Sequence, residues 1–186
     1  MKDLSLHILD IVQNSIKAKA LNINIELEIL EDNLVLTIND DGCGISEEIL
    51  KNIFDPFITT RTTRKVGLGL SLLKTNVEFA GGKVQIESIK HKGTKVTAWM
   101  PVNNIDRKPL GNLAETIKLL ILSDNSMNMT LKLINGKKTM QFDTTEIKKQ
   151  IDGVDINNNE VINWIYEYIN EGIIEIFGGV LNEITC

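Results

Sequence analysis

Asp40-Asp41-Gly42-Cys43-Gly44 and Gly67-Leu68-Gly69-Leu70 bracket the stretch around which the remainder of this chain is organised. The first follows an alternating apolar run, so a carboxylate stands where a strand stops, and the glycines beside it let a flat ligand approach the backbone. The second precedes a helical pattern. The first N–H groups of a helix have no partner within it and favour anions such as phosphate. Between the two lies Ile58-Thr59-Thr60-Arg61-Thr62-Thr63-Arg64-Lys65, too polar for packed core and expected to form a lid over the ligand.

Upstream, Leu4 to Ala20 carries apolar residues around most of a helix, yet His7, Asp10, Asn14 and Lys17 fall on one stripe. A functional polar face and an ordinary solvated one are both compatible with that spacing. Leu21 to Ile29 and Leu34 to Asp40 alternate around Glu31-Asp32-Asn33, a hairpin that delivers Asp40 to a strand end. Ser46 with Glu47 and Glu48 predicts a helix start, and that helix is expected to run to about Phe54 before Asp55-Pro56.

Downstream of the lid, Leu70 to Phe79 predicts a helix ended by Gly81-Gly82. Val84 to Ser88 and Lys95 to Met100 predict strands joined at His91-Lys92-Gly93. Val102 to Gly111 lacks periodicity and suits a boundary, after which a separate unit is expected. In that unit helices are expected at Leu113 to Leu122, Thr144 to Ile151 and Glu160 to Asn170, the last stopping near Gly172. Strands are expected at Met129 to Ile134 and Thr139 to Phe142 around Asn135-Gly136.

The chain has 186 residues, 42% hydrophobic and 24% charged, with a net charge of −5. That is ordinary globular material, and the negative charge argues against nucleic acid or an anionic membrane as a partner. The last two helices resemble a helix-turn-helix in outline only, because Asp152, Asp155, Glu160, Glu167, Glu171 and Glu175 make their surface acidic. No apolar run approaches the roughly 18 residues of a membrane span, so a cytoplasmic protein is expected. Cys43 and Cys186 match no metal or disulfide spacing and are expected to be free thiols.

Singly these motifs are weak, but their order is specific: Asp10-x-x-x-Asn14, then Asp40-x-Gly42-x-Gly44, Phe54-Asp55-Pro56-Phe57, Gly67-x-Gly69-Leu70 and Gly93-Thr94. The set resembles the motif boxes of the GHKL, or Bergerat-fold, ATP-binding superfamily of gyrase, heat-shock chaperones, histidine kinases and MutL. It is most similar to the ATPase domain of histidine kinases. The resemblance implies an α+β fold: a two-layer α/β sandwich with a mixed, largely antiparallel sheet and helices on one face. It covers residues 1 to about 101; the ATP-binding domain is expected to span 1–104, leaving 105–186 as a small α+β segment of unknown role.

The resemblance also implies ATP and Mg2+ as cofactors. Asp40 looks like the family's adenine-selecting carboxylate, and Thr94 like the hydroxyl that completes the adenine contact. Asn14 resembles the Mg2+ ligand, a suitable hard oxygen donor. Lys17 would reach a phosphate, and Arg61 or Arg64 would clamp the terminal one. Gly67 and Gly69 would let the backbone close on the triphosphate. Gly42, Gly44, Ile45, Phe57, Thr60, Leu68 and Leu70 complete the implied nucleotide contacts. Asp10 occupies the place of the family's polarising acid, as a general base or as part of the metal shell.

There are departures. The domain begins almost at Met1, so a stand-alone domain without a phosphoacceptor helix is expected, and neither His7 nor His91 is expected to be phosphorylated. Asp41 stands where these kinases usually have Asn. The implied function is an ATP-dependent protein kinase module acting in trans on an unidentified protein partner, histidine-kinase-like or similar to anti-sigma-factor kinases. A nucleotide-gated binding protein and a slow ATPase are the alternatives; Asn14-Ser15-Ile16-Lys17-Ala18-Lys19-Ala20 is similar to a MutL motif. A homodimer is left open.

Overall fold

In the computed structural model, residues 1–55 and 68–182 are described. The first helix, α1 (Leu4–Lys17), starts where Asp3 accepts a hydrogen bond from the Leu6 N–H at 3.1 Å, a side-chain N-cap. Leu4, Ile8, Ile11 and Val12 form its buried face. It stops at Lys17 rather than Ala20, because Lys19 turns the chain with a left-handed φ of 59°.

Strands β1 (Asn22–Leu30) and β2 (Asn33–Asp40) form the expected hairpin. A single helical turn, α2 (Glu47–Leu50), follows, shorter than the sequence predicts. It buries no residue and Ser46 makes no side-chain cap bond, so nothing propagates the turn to Phe54. Helix α3 (Leu68–Phe79) ends at Gly81-Gly82, whose N–H groups bond the Glu78 and Val77 carbonyls at 2.9 and 2.8 Å. Strands β3 (Lys83–Ile89) and β4 (Gly93–Pro101) form a second hairpin.

The later part comprises α4 (Leu113–Ser123), β5 (Asn128–Asn135), β6 (Lys138–Asp143), α5 (Thr144–Gln150) and α6 (Asn159–Phe177). Helix α6 runs through Gly172 instead of stopping there. The missing side chain makes room for the Met140 sulfur from β6, and the helix ends at Gly178, a left-handed residue at φ 59°.

Six strands form one sheet in the order β3-β4-β2-β1-β5-β6. All neighbouring pairs are antiparallel except β1 and β5, so the sheet is mixed and largely antiparallel, as expected. Ile25, Ile38, Val96 and Leu131 share its buried face, while Asn24, Glu26, Asn39, Lys95 and Lys132 lie on the other. The helices contact one another and cover the apolar face, α1 on β2, α3 on β3 and β4, α6 on β5 and β6. This is the expected two-layer α+β arrangement.

The segment expected to be a separate unit is continuous with the first. β5 pairs with β1 from Asn22↔Asn128 to Ile29↔Asn135, and both parts contribute to one hydrophobic core. β1 has the apolar content of an inner strand, and β5 supplies its second ladder of hydrogen bonds. Leu4 and Ser5 donate to the Pro109 and Leu110 carbonyls, each at 2.9 Å. Arg107, 4% exposed, donates to the carbonyls of Val102, Lys108, Val180 and Leu181, tying the far end of the chain to the exit of β4. Burial pulls its pKa below the ordinary value.

Candidate functional site

Asp40 closes β2 and is 7% exposed. Its Oδ2 accepts from Ser15 Oγ at 2.7 Å and its Oδ1 from the Gly42 N–H at 2.9 Å. A carboxylate has about four lone-pair sites, so these two bonds fix its orientation without exhausting its capacity to accept. Thr94 is the direct cross-strand partner of Asp40. Ser88 Oγ lies 2.9 Å from both the Thr94 hydroxyl and the Gly93 carbonyl, and accepts the Ile45 N–H at 2.8 Å. Asp40, Gly42, Ile45 and Thr94 are thereby gathered at one end of the sheet.

The loop from Asp41 to Ile45 is clamped on both sides. Cys43 donates its N–H to the Ala18 carbonyl at 2.9 Å and its own carbonyl accepts from the His91 N–H at 2.7 Å. The Asp41 carboxylate takes the Leu21 and Asn22 N–H groups at 2.8 and 2.9 Å and the Asn22 side chain at 2.6 Å. Burial opposes its charge, but these bonds outweigh that and hold its pKa below the usual carboxylate range. The departure from Asn is thus a structural staple.

Two glycines here have no substitute. Gly93, at φ 107°, presses its α-carbon against the Asp40 carbonyl, and Gly44, at φ 63°, lies against the Ile89 carbonyl. The backbone strips around Asp40 therefore lie closer than any side chain would allow.

On α1, Asp10 and Asn14 are half-buried one turn apart, and Lys17 is exposed. Gly69, in the first turn of α3, packs against the Asp10 carboxylate, leaving no room for a Cβ. Leu70 is partly buried against the core. His7, 1% exposed, joins the same helices: its Nε2 lies 2.9 Å from Asn76 Nδ2. Desolvation, then the nearby N-terminal charge, lower its pKa from 6.5 to about 4, so it is neutral near pH 7. Phe57, Thr60, Arg61, Arg64, Gly67 and the Leu68 side chain, with the expected lid, lie outside the described residues.

These residues fit an adenine nucleotide: a buried carboxylate with acceptor capacity left, a hydroxyl opposite it, and a cradle of backbone that a Cβ would fill. Among the described residues no group of three or more His, Cys, Asp or Glu side chains is placed to hold a metal ion. Ser15, Ser88 and Asn76 are contacts that the motif spacing did not single out. For Ser15 the signal was a small polar residue on an otherwise apolar helix face.

Residues 2–104 match the model of the histidine kinase-, DNA gyrase B- and HSP90-like ATPase family. In an alignment of 158 positions the chain is 33% identical to the autoinducer 2 sensor kinase/phosphatase LuxQ of Vibrio parahaemolyticus, covering 72% of this chain and 18% of that protein. A 76-residue stretch is 38% identical to the sensor histidine kinase ZraS of Escherichia coli O157:H7, covering 41% of this chain and 16% of the other. The chain thus spans under a fifth of the length of these two relatives. The crystal structure of the N-terminal domain of a DNA repair protein shares the fold, with a TM-score of 0.54 at 16% identity over 76% of this chain and 52% of that one.

The chain belongs to the histidine kinase-, DNA gyrase B- and HSP90-like ATPase family, and its first part is an ATP-binding, kinase-like domain. No helix among the described residues is long and apolar enough to cross a membrane.

Proposed function

We propose that this protein binds Mg-ATP and acts in the cytoplasm as a protein kinase module, passing a phosphoryl group in trans to a partner protein. The buried Asp40 carboxylate, held by Ser15 and Gly42 with Thr94 opposite, carries the reading. Asp40 accepts the adenine amine; Asn14 takes the metal, Lys17 a phosphate, and Asp10 serves as general base or holds the metal shell. Bound Mg-ATP supplies the activated phosphoryl group, and the protein's part is to bind, orient and hold or remove the proton of the acceptor.

A second reading, a nucleotide-gated binding protein, draws on one observation. The start of α1 is hydrogen-bonded to Pro109 and Leu110, so a shift of α1 on nucleotide binding is transmitted directly to the later part of the chain. Radiolabelled ATP separates the two. With a captured partner, the kinase reading expects label on that partner, and Asp10→Asn keeps nucleotide binding while turnover falls about 100-fold or more. Wild-type protein that binds ATP but turns none over with the partner moves the gated-binding reading ahead.

A further inference from the structure

We infer that the outer ridge of α6 is a docking surface for a Lys- or Arg-rich segment of a partner protein. Helix α6 covers β5 and β6, at the opposite edge of the sheet from the β3–β4 hairpin beside Asp40, so the inference does not depend on the nucleotide reading.

At 3.6 residues per turn, Glu160, Trp164, Glu167, Tyr168, Glu171 and Glu175 form one ridge, and all are exposed. The opposite face, with Ile162, Ile165, Ile169, Ile173 and Ile176, is buried and holds the helix in place. Trp164 is 50% and Tyr168 38% exposed, and their rings stack at 5.3 Å between centroids and 15° between planes. The buried Phe142 ring of the edge strand lies 6.5 Å from Tyr168, so the pair is braced from beneath. A rigid aromatic pair presents broad π faces at low entropic cost, the character of an interface anchor.

The charge around that pair selects the occupant. Helix α6 carries no Lys or Arg, and Glu167, Glu171 and Glu175 follow one another at i, i+4 spacing, an arrangement unfavourable to the helix itself. Lys118 pairs with Glu115 at 3.8 Å and sits 5.7 Å from the Tyr166 ring centroid, while Lys138 Nζ donates to the Glu175 carbonyl at the far end of the ridge. Among the described residues Glu160, Glu167 and Glu171 form no ion pair, and these carboxylates flanking two exposed aromatic rings fit cationic side chains, which pair with the carboxylates and lie over the π faces.

The test uses the full chain and a fluorescein-labelled octa-arginine peptide, read by anisotropy at two salt concentrations. Trp164→Ala with Tyr168→Ala keeps the charge and is expected to weaken binding at least tenfold; Glu167→Gln, Glu171→Gln and Glu175→Gln together weaken it similarly and flatten the salt dependence. The control Glu28→Gln, Glu47→Gln and Glu87→Gln makes the same charge change elsewhere and is expected to bind within twofold of wild type. Unaltered binding by the aromatic variant, or equal losses in the two charge variants, overturns the proposal. So does a wild-type dimer in sedimentation that the aromatic substitutions dissolve, since the occupant is then a second copy.

Discussion

Ser15 Oγ donates to Asp40 Oδ2 at 2.7 Å, joining the helix that carries Asp10 and Asn14 to the end of β2. Both residues are buried, so the bond sets the spacing between the two halves of the site. Ser15→Ala removes this bond and leaves the Gly42 N–H, at 2.9 Å, to orient Asp40. We expect a loss of about 1 to 3 kcal/mol in chemical denaturation and weaker ATP binding by calorimetry. Unchanged stability and affinity would show that Asp40 is positioned without α1.

Gly93 and Gly136 both have positive φ, at 107° and 59°, but only Gly93 is crowded, against the Asp40 carbonyl. Gly136→Ala is expected to cost about 1 kcal/mol, the ordinary penalty of a left-handed side chain. Gly93→Ala adds a backbone clash and is expected to cost about 3 kcal/mol or more, with loss of ATP binding. Urea denaturation of the two variants distinguishes them; equal losses would contradict the close approach at Asp40.

Truncation after residue 104 removes β5 and leaves β1 as an open edge, with the contacts of α4 on α1 gone. The fragment is expected to lack a cooperative thermal transition. A fragment melting cooperatively within a few degrees of the full chain would mean that the family-matched region folds on its own.

His7 has a folded-state pKa of about 4 against 6.5 for the exposed group. The unfolded chain therefore binds more protons between these values, so stability is intact above pH 6.5 and falls as pH drops towards 4. The full loss corresponds to about 3 kcal/mol. His7→Gln, which can still bond Asn76, should flatten that acid limb in denaturation curves at pH 7, 5.5 and 4. A limb of unchanged steepness would place the proton uptake on other groups.

The hairpin ending at Asp40 was legible because period-2 alternation and turn residues act locally, and the motif boxes were legible because glycines mark close backbone approach. Four features were not. Gly172 reads as a helix stop until Met140, 32 positions earlier, is known to occupy its missing side chain. The pairing of β5 with β1 is a long-range choice between two apolar strands, and the aperiodic linker after Val102 looks like a boundary although Arg107 within it knits the two parts together. Ser15 needed the helix phase relative to Asp40, which spacing alone does not supply.

The central claim is that Asp40 selects adenine, and calorimetric titration with Mg-ATP and Mg-GTP, on wild type and Asp40→Asn, tests it most directly. A charge-assisted hydrogen bond of about 1.5 to 3 kcal/mol predicts that wild type prefers ATP by roughly 10- to 150-fold. Asp40→Asn, which turns a donor towards the base, should lose that preference. Equal affinity of the wild type for both nucleotides, or full ATP preference in Asp40→Asn, would contradict the account.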